Sequence, residues 1–459
     1  MRDWTGHLLV LGLGESGQAV CEWALGRAED GADVRVTVVD SGTGPSLEPR
    51  AAALRARGAA VVLGSDELPQ ADLVVPSPGI KPSSALYRAA VSLGVPMLSE
   101  IEIAYRISDA PWIAITGTNG KTTTTALVTH LLREAGFAAE PAGNFGPAAV
   151  RVVAETGRAG AVVAEVSSFQ LMLADEFHPR VSVLLNITPD HLDYHGTMQA
   201  YAGAKARVFA RQTAADTAVI DVDDAGSAPY AATVAAAGVE VRSVSRSGTP
   251  EEGAFVRDGV LMLVHDNTPI ELVRIDELKI KGHHNVSNAL AAAAAAHAFG
   301  ADPGALRSGL VTFEPIEHRL EPAGAVGGVE YFNDSKATNP DAVMKALTAF
   351  EDRPVVLLLG GRNKGIDMRP LALAVDASCK AAVLFGEAAP ELAEAFDGTR
   401  VPVRVARDLA SAVVTAQALA APGDAVLLSP ACTSWDEFDD YTQRGRRFKS
   451  LVESLEEAE

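Results

Sequence analysis

The sequence predicts an α/β protein of three domains: an N-terminal Rossmann-like domain over 1–105, a central P-loop ATPase-type α/β domain over 106–314, and a C-terminal Rossmann-like domain over 315–459. Short runs of Val, Leu, Ile and Ala recur along the chain and alternate with helical patterns, as buried parallel strands and their crossover helices do. Several of these runs end in glycine-bearing loops, the usual ligand edge of such sheets. The 459 residues allow about three cores at roughly 150 residues each.

The first strand is His7-Leu8-Leu9-Val10-Leu11, followed by Gly12-Leu13-Gly14-Glu15-Ser16-Gly17 and an apolar helix pattern. Val34 to Val39 is the next strand, ending at Asp40. A glycine turn for phosphates and an acidic residue for ribose is the dinucleotide-binding arrangement. The glycine pattern alone is a weak signal, and its strand, helix and acidic residue strengthen it. Leu73-Val74-Val75 then runs into Pro76-Ser77-Pro78-Gly79-Ile80, a further strand-to-loop junction.

The central domain opens near Pro111 with Ile113-Ala114-Ile115-Thr116-Gly117-Thr118-Asn119-Gly120-Lys121-Thr122-Thr123. A strand, a glycine loop and a helix start turn backbone N–H groups toward phosphate oxygens at the positive end of the helix. Lys121 can reach the outer phosphates, and the Thr122 hydroxyl is placed to ligate the accompanying Mg²⁺. The general P-loop pattern expects glycine where Ile115 stands. Ala161 to Val166 and Val181 to Asn186 are further buried strands. They end in Glu165-Val166-Ser167-Ser168-Phe169-Gln170 and Asn186-Ile187-Thr188-Pro189-Asp190-His191-Leu192-Asp193. A carboxylate at such an edge can hold Mg²⁺, and an imidazole can hold a second ion or orient a substrate oxygen. Residues 240–280 read as a small antiparallel insertion, and Asn285 to Ala298 as a helix. The boundary to the last domain falls near Phe313-Glu314-Pro315, and its strand signals are Pro354 to Gly361, Ala382 to Gly386 and Ala425 to Pro430.

Lys and Arg total 39 against 59 Asp and Glu, a formal net charge of −20. That field repels phosphate backbones, which excludes nucleic acid and anionic membrane as partners and leaves phosphate chemistry to local loops. Cys21, Cys379 and Cys432 form no C-x-x-C pair, so a disulfide framework or zinc site is not expected. No signal-peptide pattern opens the chain, and the alanine-rich run Ala289 to Ala296 is too short to span a bilayer. A cytoplasmic monomer acting on small molecules is the expectation.

Gly117-Thr118-Asn119-Gly120-Lys121-Thr122, Glu165-x-Ser167-Ser168-Phe169-Gln170 and Asn186-x-Thr188-x-Asp190-His191 together resemble the Mur ligase family of ATP-dependent amide-forming enzymes. The resemblance spans essentially the whole chain in order. It takes in Ser77-Pro78-Gly79-Ile80, Gly143-Asn144-x-Gly146, Tyr201-x-x-Ala204-Lys205, His284-Asn285-x-x-Asn288, Gly360-Gly361 and Ser429-Pro430-Ala431-Cys432-x-Ser434. Asp334-Ser335-Lys336-Ala337-Thr338-Asn339 points to the members that add D-glutamate, because their relatives show Asp-Tyr-Ala-His-type sequences there.

The resemblance implies that the carboxylate of UDP-N-acetylmuramoyl-L-alanine is phosphorylated by ATP to an acyl phosphate, which the amine of D-glutamate attacks. It implies ATP and two Mg²⁺ ions as cofactors. Gly117, Thr118, Asn119, Gly120, Lys121, Thr122 and Thr123 would cradle the nucleotide, with Asn285 and Asn288 at the adenine and Arg319 and Asp334 nearby. Lys121, Glu165, His191, Lys205 and Lys336 would carry the chemistry. Thr122, Glu165, His191 and Lys205 would be the metal ligands, Lys205 as a carbamate formed with CO₂. Glu15, Ser16, Asp40, Ser41, Ser77, Asn144 and Ser167 would meet the UDP-sugar. Thr338, Lys364, Ser434 and Tyr441 would meet D-glutamate, with Lys364 as the cation that a dicarboxylate wants. Tyr441 and Ser41 stand where the family is associated with Phe and Thr. A nicotinamide-dependent dehydrogenase would explain the first glycine turn, and a regulatory ATP switch the P-loop. Neither explains the remaining motifs. A sister ligase adding another amino acid is the nearest alternative.

Overall fold

A computed structural model describes residues 1–44, 47–144, 146–350, 353–363 and 365–456. It divides into two compact units, Met1–Glu277 with Ser287–Val311, and Leu278–Val286 with Thr312–Glu459.

The first unit holds two sheets. In the first, β1 (Gly6–Leu11), β2 (Val34–Asp40), β3 (Ala60–Leu63) and β4 (Leu73–Pro76) lie parallel in the order β3-β2-β1-β4. Leu8 to Leu11 are wholly buried, as a central parallel strand covered on both faces requires. The helix Glu15–Glu29 follows the glycine turn directly. A Cβ at Gly17 would stand 2.2 Å from the Gly12 carbonyl oxygen, so the third glycine of the turn lets helix and strand pack this closely.

The helix Glu100–Ile107 leads toward the second sheet and carries two buried carboxylates. Glu102 accepts the N–H groups of Asp175, Glu176 and Phe177 and pairs with Arg106. Glu100 accepts the Val150 N–H at 2.8 Å, while its Oε2 has no hydrogen-bond partner among the described residues. Burial pushes the Glu100 carboxyl up to about 7, against the pull of backbone hydrogen bonds. A carboxyl raised in the folded state stabilises the protein while protonated. That stability is lost as pH rises from the unfolded value through about 7. Glu100→Gln keeps an acceptor for Val150 and removes the charge, so its melting temperature should exceed the parent's at pH 8 and converge with it near pH 5. Parallel melting curves across that range check this, and a constant offset would refute it.

The second sheet comprises β5 (Trp112–Thr116), β6 (Ala138–Gly143), β7 (Gly160–Glu165), β8 (Val181–Leu184), β9 (Thr217–Asp221), β10 (Glu240–Ser245), β11 (Gly253–Arg257), β12 (Val260–His265) and β13 (Thr268–Arg274). Their order is β13-β12-β11-β10-β9-β8-β5-β7-β6. The chain leaves β5 in one direction across the sheet and returns to its other side at β8, so the ends of β5, β7 and β8 form a switch point. Residues 240–280 are antiparallel only in part. β10 and β11 pair parallel and continue the sheet, and only β11-β12-β13 run antiparallel. The hydrophobic alternation was legible, but the parallel pairing depends on β9, which no local pattern reveals. The alanine-rich run lies within the helix His283–Phe299, and Ala289 to Ala296 are buried.

The second unit is built on β14 (Glu321–Val326), β15 (Val329–Asn333), β16 (Val355–Gly360), β17 (Ala381–Phe385), β18 (Val403–Val405) and β19 (Ala425–Ala431), ordered β14-β15-β19-β16-β17-β18. β14 and β15 form an antiparallel hairpin and the other pairings are parallel. Apolar clusters cover both faces. One gathers Val343, Leu357, Leu359, Leu371 and Leu384, the other Tyr331, Val356, Leu358, Leu428 and Phe448. The helix Tyr441–Glu456 closes the second face.

Candidate functional site

Every residue of β5 is buried, and the strand runs through Ile115 to Thr116 in register with Glu165 and Leu184. Ile115 is therefore a core strand residue, and the turn begins two residues later at Gly117. Gly120 has φ +86° and caps the helix Lys121–Glu134, offering no side chain of its own to the cap. Lys121 folds back so that its Nζ donates to the carbonyls of Gly117 and Thr118, both at 2.9 Å. The Thr122 hydroxyl donates to Glu165 Oε2 at 2.8 Å, and Asn144 Nδ2 donates to Glu165 Oε1 at 2.7 Å. Thr123 is buried beside them.

The loop after β8 braces this turn. Asn186 accepts the Asn119 N–H at 2.8 Å with its side-chain oxygen and donates to the Asn119 carbonyl at 3.0 Å. The Thr118 hydroxyl donates to the Thr188 carbonyl and accepts the Thr188 N–H. Asp224 in turn holds the Ile187 N–H at 3.0 Å. Asn186 stood within a recognised motif, but its bracing function was not read from the sequence. Asp224 was missed altogether, because only the fold brings it beneath that loop.

Lys205 is 2% exposed. Its Nζ donates at 2.7 Å to Gly117 O, the same carbonyl that receives Lys121, and lies 4.6 Å from the Tyr201 ring centroid. Burial, and then the neighbouring Lys121 charge, hold the Lys205 amine well below the usual lysine range. The Tyr201 hydroxyl is 3.2 Å from Thr118 Oγ1. His191 has φ +52° at the start of the helix Leu192–His195. Its ring meets Phe169 edge-on at 4.9 Å, and its Nε2 lies 3.6 Å from Asp190 Oδ2. Ser167 caps the helix Ser168–Met172 through a capping box with Gln170, so its hydroxyl already serves the backbone.

At the first sheet, Asp40 accepts the N–H groups of Leu13 at 2.7 Å and Gly42 at 2.8 Å, which tethers the glycine turn to the end of β2. Ser77 donates to the Gly12 carbonyl at 3.1 Å. Glu15 is exposed and Ser16 half-buried, and Arg151 approaches Glu15 at 3.5 Å. Ser41, Asp66, Ile80, Lys81 and Ser84 line a cleft beside this turn.

In the second unit, Asp334 is buried and accepts the Ser429 hydroxyl at 2.7 Å. Burial pushes its carboxyl up to about 7. Arg319 is electrostatically coupled to Asp334, and its Nε is buried without a hydrogen-bond partner among the described residues. Lys336 Nζ lies 5.3 Å from the Tyr441 ring centroid. Ser434 is 2% exposed and Thr338 half-buried. Asn285 Nδ2 donates to the Lys281 carbonyl at 2.8 Å. Asn288, in the part of the helix His283–Phe299 that belongs to the first unit, is also buried. Lys364 lies outside the described residues.

Hydrogen bonds thus gather Lys121, Thr122, Asn144, Glu165 and Lys205 around one loop. A hydroxyl already set against a carboxylate, in a pocket of hard oxygen donors, suits Mg²⁺. A side-chain-free cap at a helix start suits the phosphates that travel with that ion. This is the constitution of a P-loop enzyme working on a nucleoside triphosphate. The chain belongs to the Mur ligase family. Models of the MurD-like N-terminal domain, the Mur ligase middle domain and the glutamate ligase domain match residues 6–99, 115–296 and 318–432. The UDP-N-acetylmuramoylalanine–D-glutamate ligase of Pelotomaculum thermopropionicum is 42% identical, with 99% of each chain covered. Its namesake from Geobacillus kaustophilus is 40% identical, with 98% of each covered. Among solved structures, the fold is shared with a pseudomurein peptide ligase type C from Methanothermus fervidus (TM-score 0.61, 18% identity, 98% of this chain and 100% of the other). It is shared as well with the UDP-N-acetylmuramate–alanine ligase of Thermotoga maritima (TM-score 0.61, 19% identity, 98% and 99%).

Proposed function

We propose that this chain is an ATP-dependent ligase that joins UDP-N-acetylmuramoyl-L-alanine to D-glutamate in peptidoglycan precursor synthesis. The observation that carries the reading is 42% identity over 99% of the chain to a ligase of that name, with the linked P-loop cluster intact. A carboxylate is a poor electrophile, so its oxygen first attacks the γ-phosphorus and ADP departs. The amine of D-glutamate then attacks the acyl phosphate, a tetrahedral intermediate forms, and phosphate leaves. Phosphoryl transfer of this kind is mainly positioning and charge neutralisation.

The residue roles are part of the proposal. The N–H groups of Gly117 to Thr123 cradle the phosphates, and Lys121 exchanges its loop carbonyls for phosphate oxygens. Thr122 and Glu165 would hold one Mg²⁺, and His191 and Lys205 would serve a second. Bound there, the ions neutralise charge on the phosphates and the substrate carboxylate. Asn285, Asn288, Arg319, Asp334 and Lys336 attend the nucleotide. Lys205 acts as a carbamate: its neutral amine attacks CO₂, a C–N bond forms and a proton is released. Burial beside Lys121 supports this, since two ammonium groups sharing the Gly117 carbonyl repel, whereas a carbamate supplies anionic oxygens. The glycine turn with Glu15, Ser16, Asp40, Ser41, Ser77, Asn144 and Ser167 receives the UDP-sugar. Thr338, Lys364, Ser434 and Tyr441 receive D-glutamate. The proposed protein is a cytoplasmic monomer, and no helix among the described residues is long and apolar enough to cross a membrane.

The test is phosphate release from ATP and Mg²⁺ with UDP-N-acetylmuramoyl-L-alanine, supplying D-Glu, L-Glu, L-Ala or meso-diaminopimelate separately. Release with D-Glu alone is expected. Release with another amino acid instead moves the chain to a sister activity, and silence with all four in folded protein overturns the reading.

A further inference from the structure

Arg444 lies in the first turns of the helix Tyr441–Glu456 and is 0% exposed. Its hydrogen-bond acceptors among the described residues include no carboxylate. Nε donates to the Ser335 hydroxyl at 3.0 Å, and Nη2 donates to Ser335 O at 2.8 Å and Cys432 O at 3.1 Å. Nη1 donates to Cys432 O at 3.1 Å and Gly360 O at 3.4 Å. All the N–H directions of the guanidinium are thereby used on protein. Asp334, Asp436 and Glu437 face it electrostatically. Burial draws it down to about 10, which leaves it charged at neutral pH.

The three segments it grips follow β15, β19 and β16, which are neighbours in the sheet. Their C-terminal ends are where an open α/β sheet binds ligands. The Ser335 hydroxyl passes the grip on by donating to the Tyr441 carbonyl at 2.7 Å. The segments after β16 and β19 are also laced together. Arg362 N–H donates to Thr433 O at 2.8 Å, and Thr433 N–H donates to Arg362 O at 3.0 Å. A Cβ at Gly361 would sit 2.0 Å from Thr433 O and 3.0 Å from Arg444 Nη1, so nothing larger than glycine fits between them.

We infer that Arg444 is a positioning residue for the amino-acid substrate. From beneath, it fixes the loops bearing Thr338 and Ser434, the end of β16 at Gly360, and the backbone of Tyr441. With no donor left over, it acts on the substrate only through these loops. This rests on the D-glutamate reading above, which the parent enzyme's phosphate release tests separately.

Arg444→Lys keeps the charge and removes the five-donor fork, so it isolates geometry from electrostatics. The expected result is a KM for D-glutamate raised at least ~10-fold, with the KM for UDP-N-acetylmuramoyl-L-alanine within about 2-fold of the parent. Ser335→Ala removes the relay to Tyr441 together with the acceptor of Arg444 Nε and leaves the other guanidinium bonds in place, and it keeps the test open should Arg444→Lys fail to fold. It should raise the D-glutamate KM by ~3- to 5-fold with the same selectivity. A D-glutamate KM unchanged in the folded variants would overturn the inference. So would a lower melting temperature with both KM values moving together, the mark of a merely structural arginine.

Discussion

Lys205→Ala should lower turnover by about 10³-fold, the scale of losing a preorganised electrostatic group at a reacting phosphate. Part of the activity should return with millimolar acetate or formate. The side chain is buried with its amine against the Gly117 carbonyl, so alanine leaves a cavity between that carbonyl and the Tyr201 ring, beside the Lys121 ammonium that can draw in a small carboxylate. The same salts should do nothing for the parent enzyme. Steady-state rates of both proteins, with chloride as the control anion, check this. A variant of near-parental activity would remove the carbamate. A dead variant indifferent to carboxylates, while its circular dichroism matches the parent's, would leave Lys205 as a packing residue.

Gly120→Ala should be nearly as damaging, for steric reasons. At φ +86° an alanine costs about 1–2 kcal/mol. Its Cβ would also fall 2.3 Å from Asn288 Oδ1, so the asparagine proposed for the adenine must swing aside. One small substitution therefore strikes the phosphate turn and the base site together. The KM for ATP should rise at least ~10-fold, while UDP-substrate binding stays near parental. Calorimetry with a non-hydrolysable ATP analogue would measure it directly, and parental affinity would show that the turn relaxes without loss.

The sequence carried the strand-and-loop rhythm because buried parallel strands are continuous apolar runs, and the P-loop because it is local in the chain. Ile115 could be misread only while the end of β5 was unknown, since the strand absorbs the position where the pattern wants glycine. What sequence could not carry was second-tier support. Asp224 lies 37 residues from Ile187, whose N–H it holds. Arg444 lies 109 residues from Ser335. Nothing in either local pattern marks the partner. Glu100 and Glu102 alternate with isoleucines and carry no sequence mark of burial, yet both are buried, and backbone N–H groups from distant segments bond to them.

The folded-back Lys121 bears on affinity. The loop satisfies the Lys121 ammonium with two of its own carbonyls. An incoming triphosphate does not meet a bare charge. It must exchange internal charge-assisted bonds, each worth about 1.5–3 kcal/mol, for its own. In its proposed role Lys121 gives up the same two bonds whether it meets a resting nucleotide or the phosphoryl group in transfer, so both are discounted equally and the exchange favours whichever carries more charge. ADP lacks the outermost phosphate, so the proposed exchange ends with its formation and the loop's own two bonds can re-form.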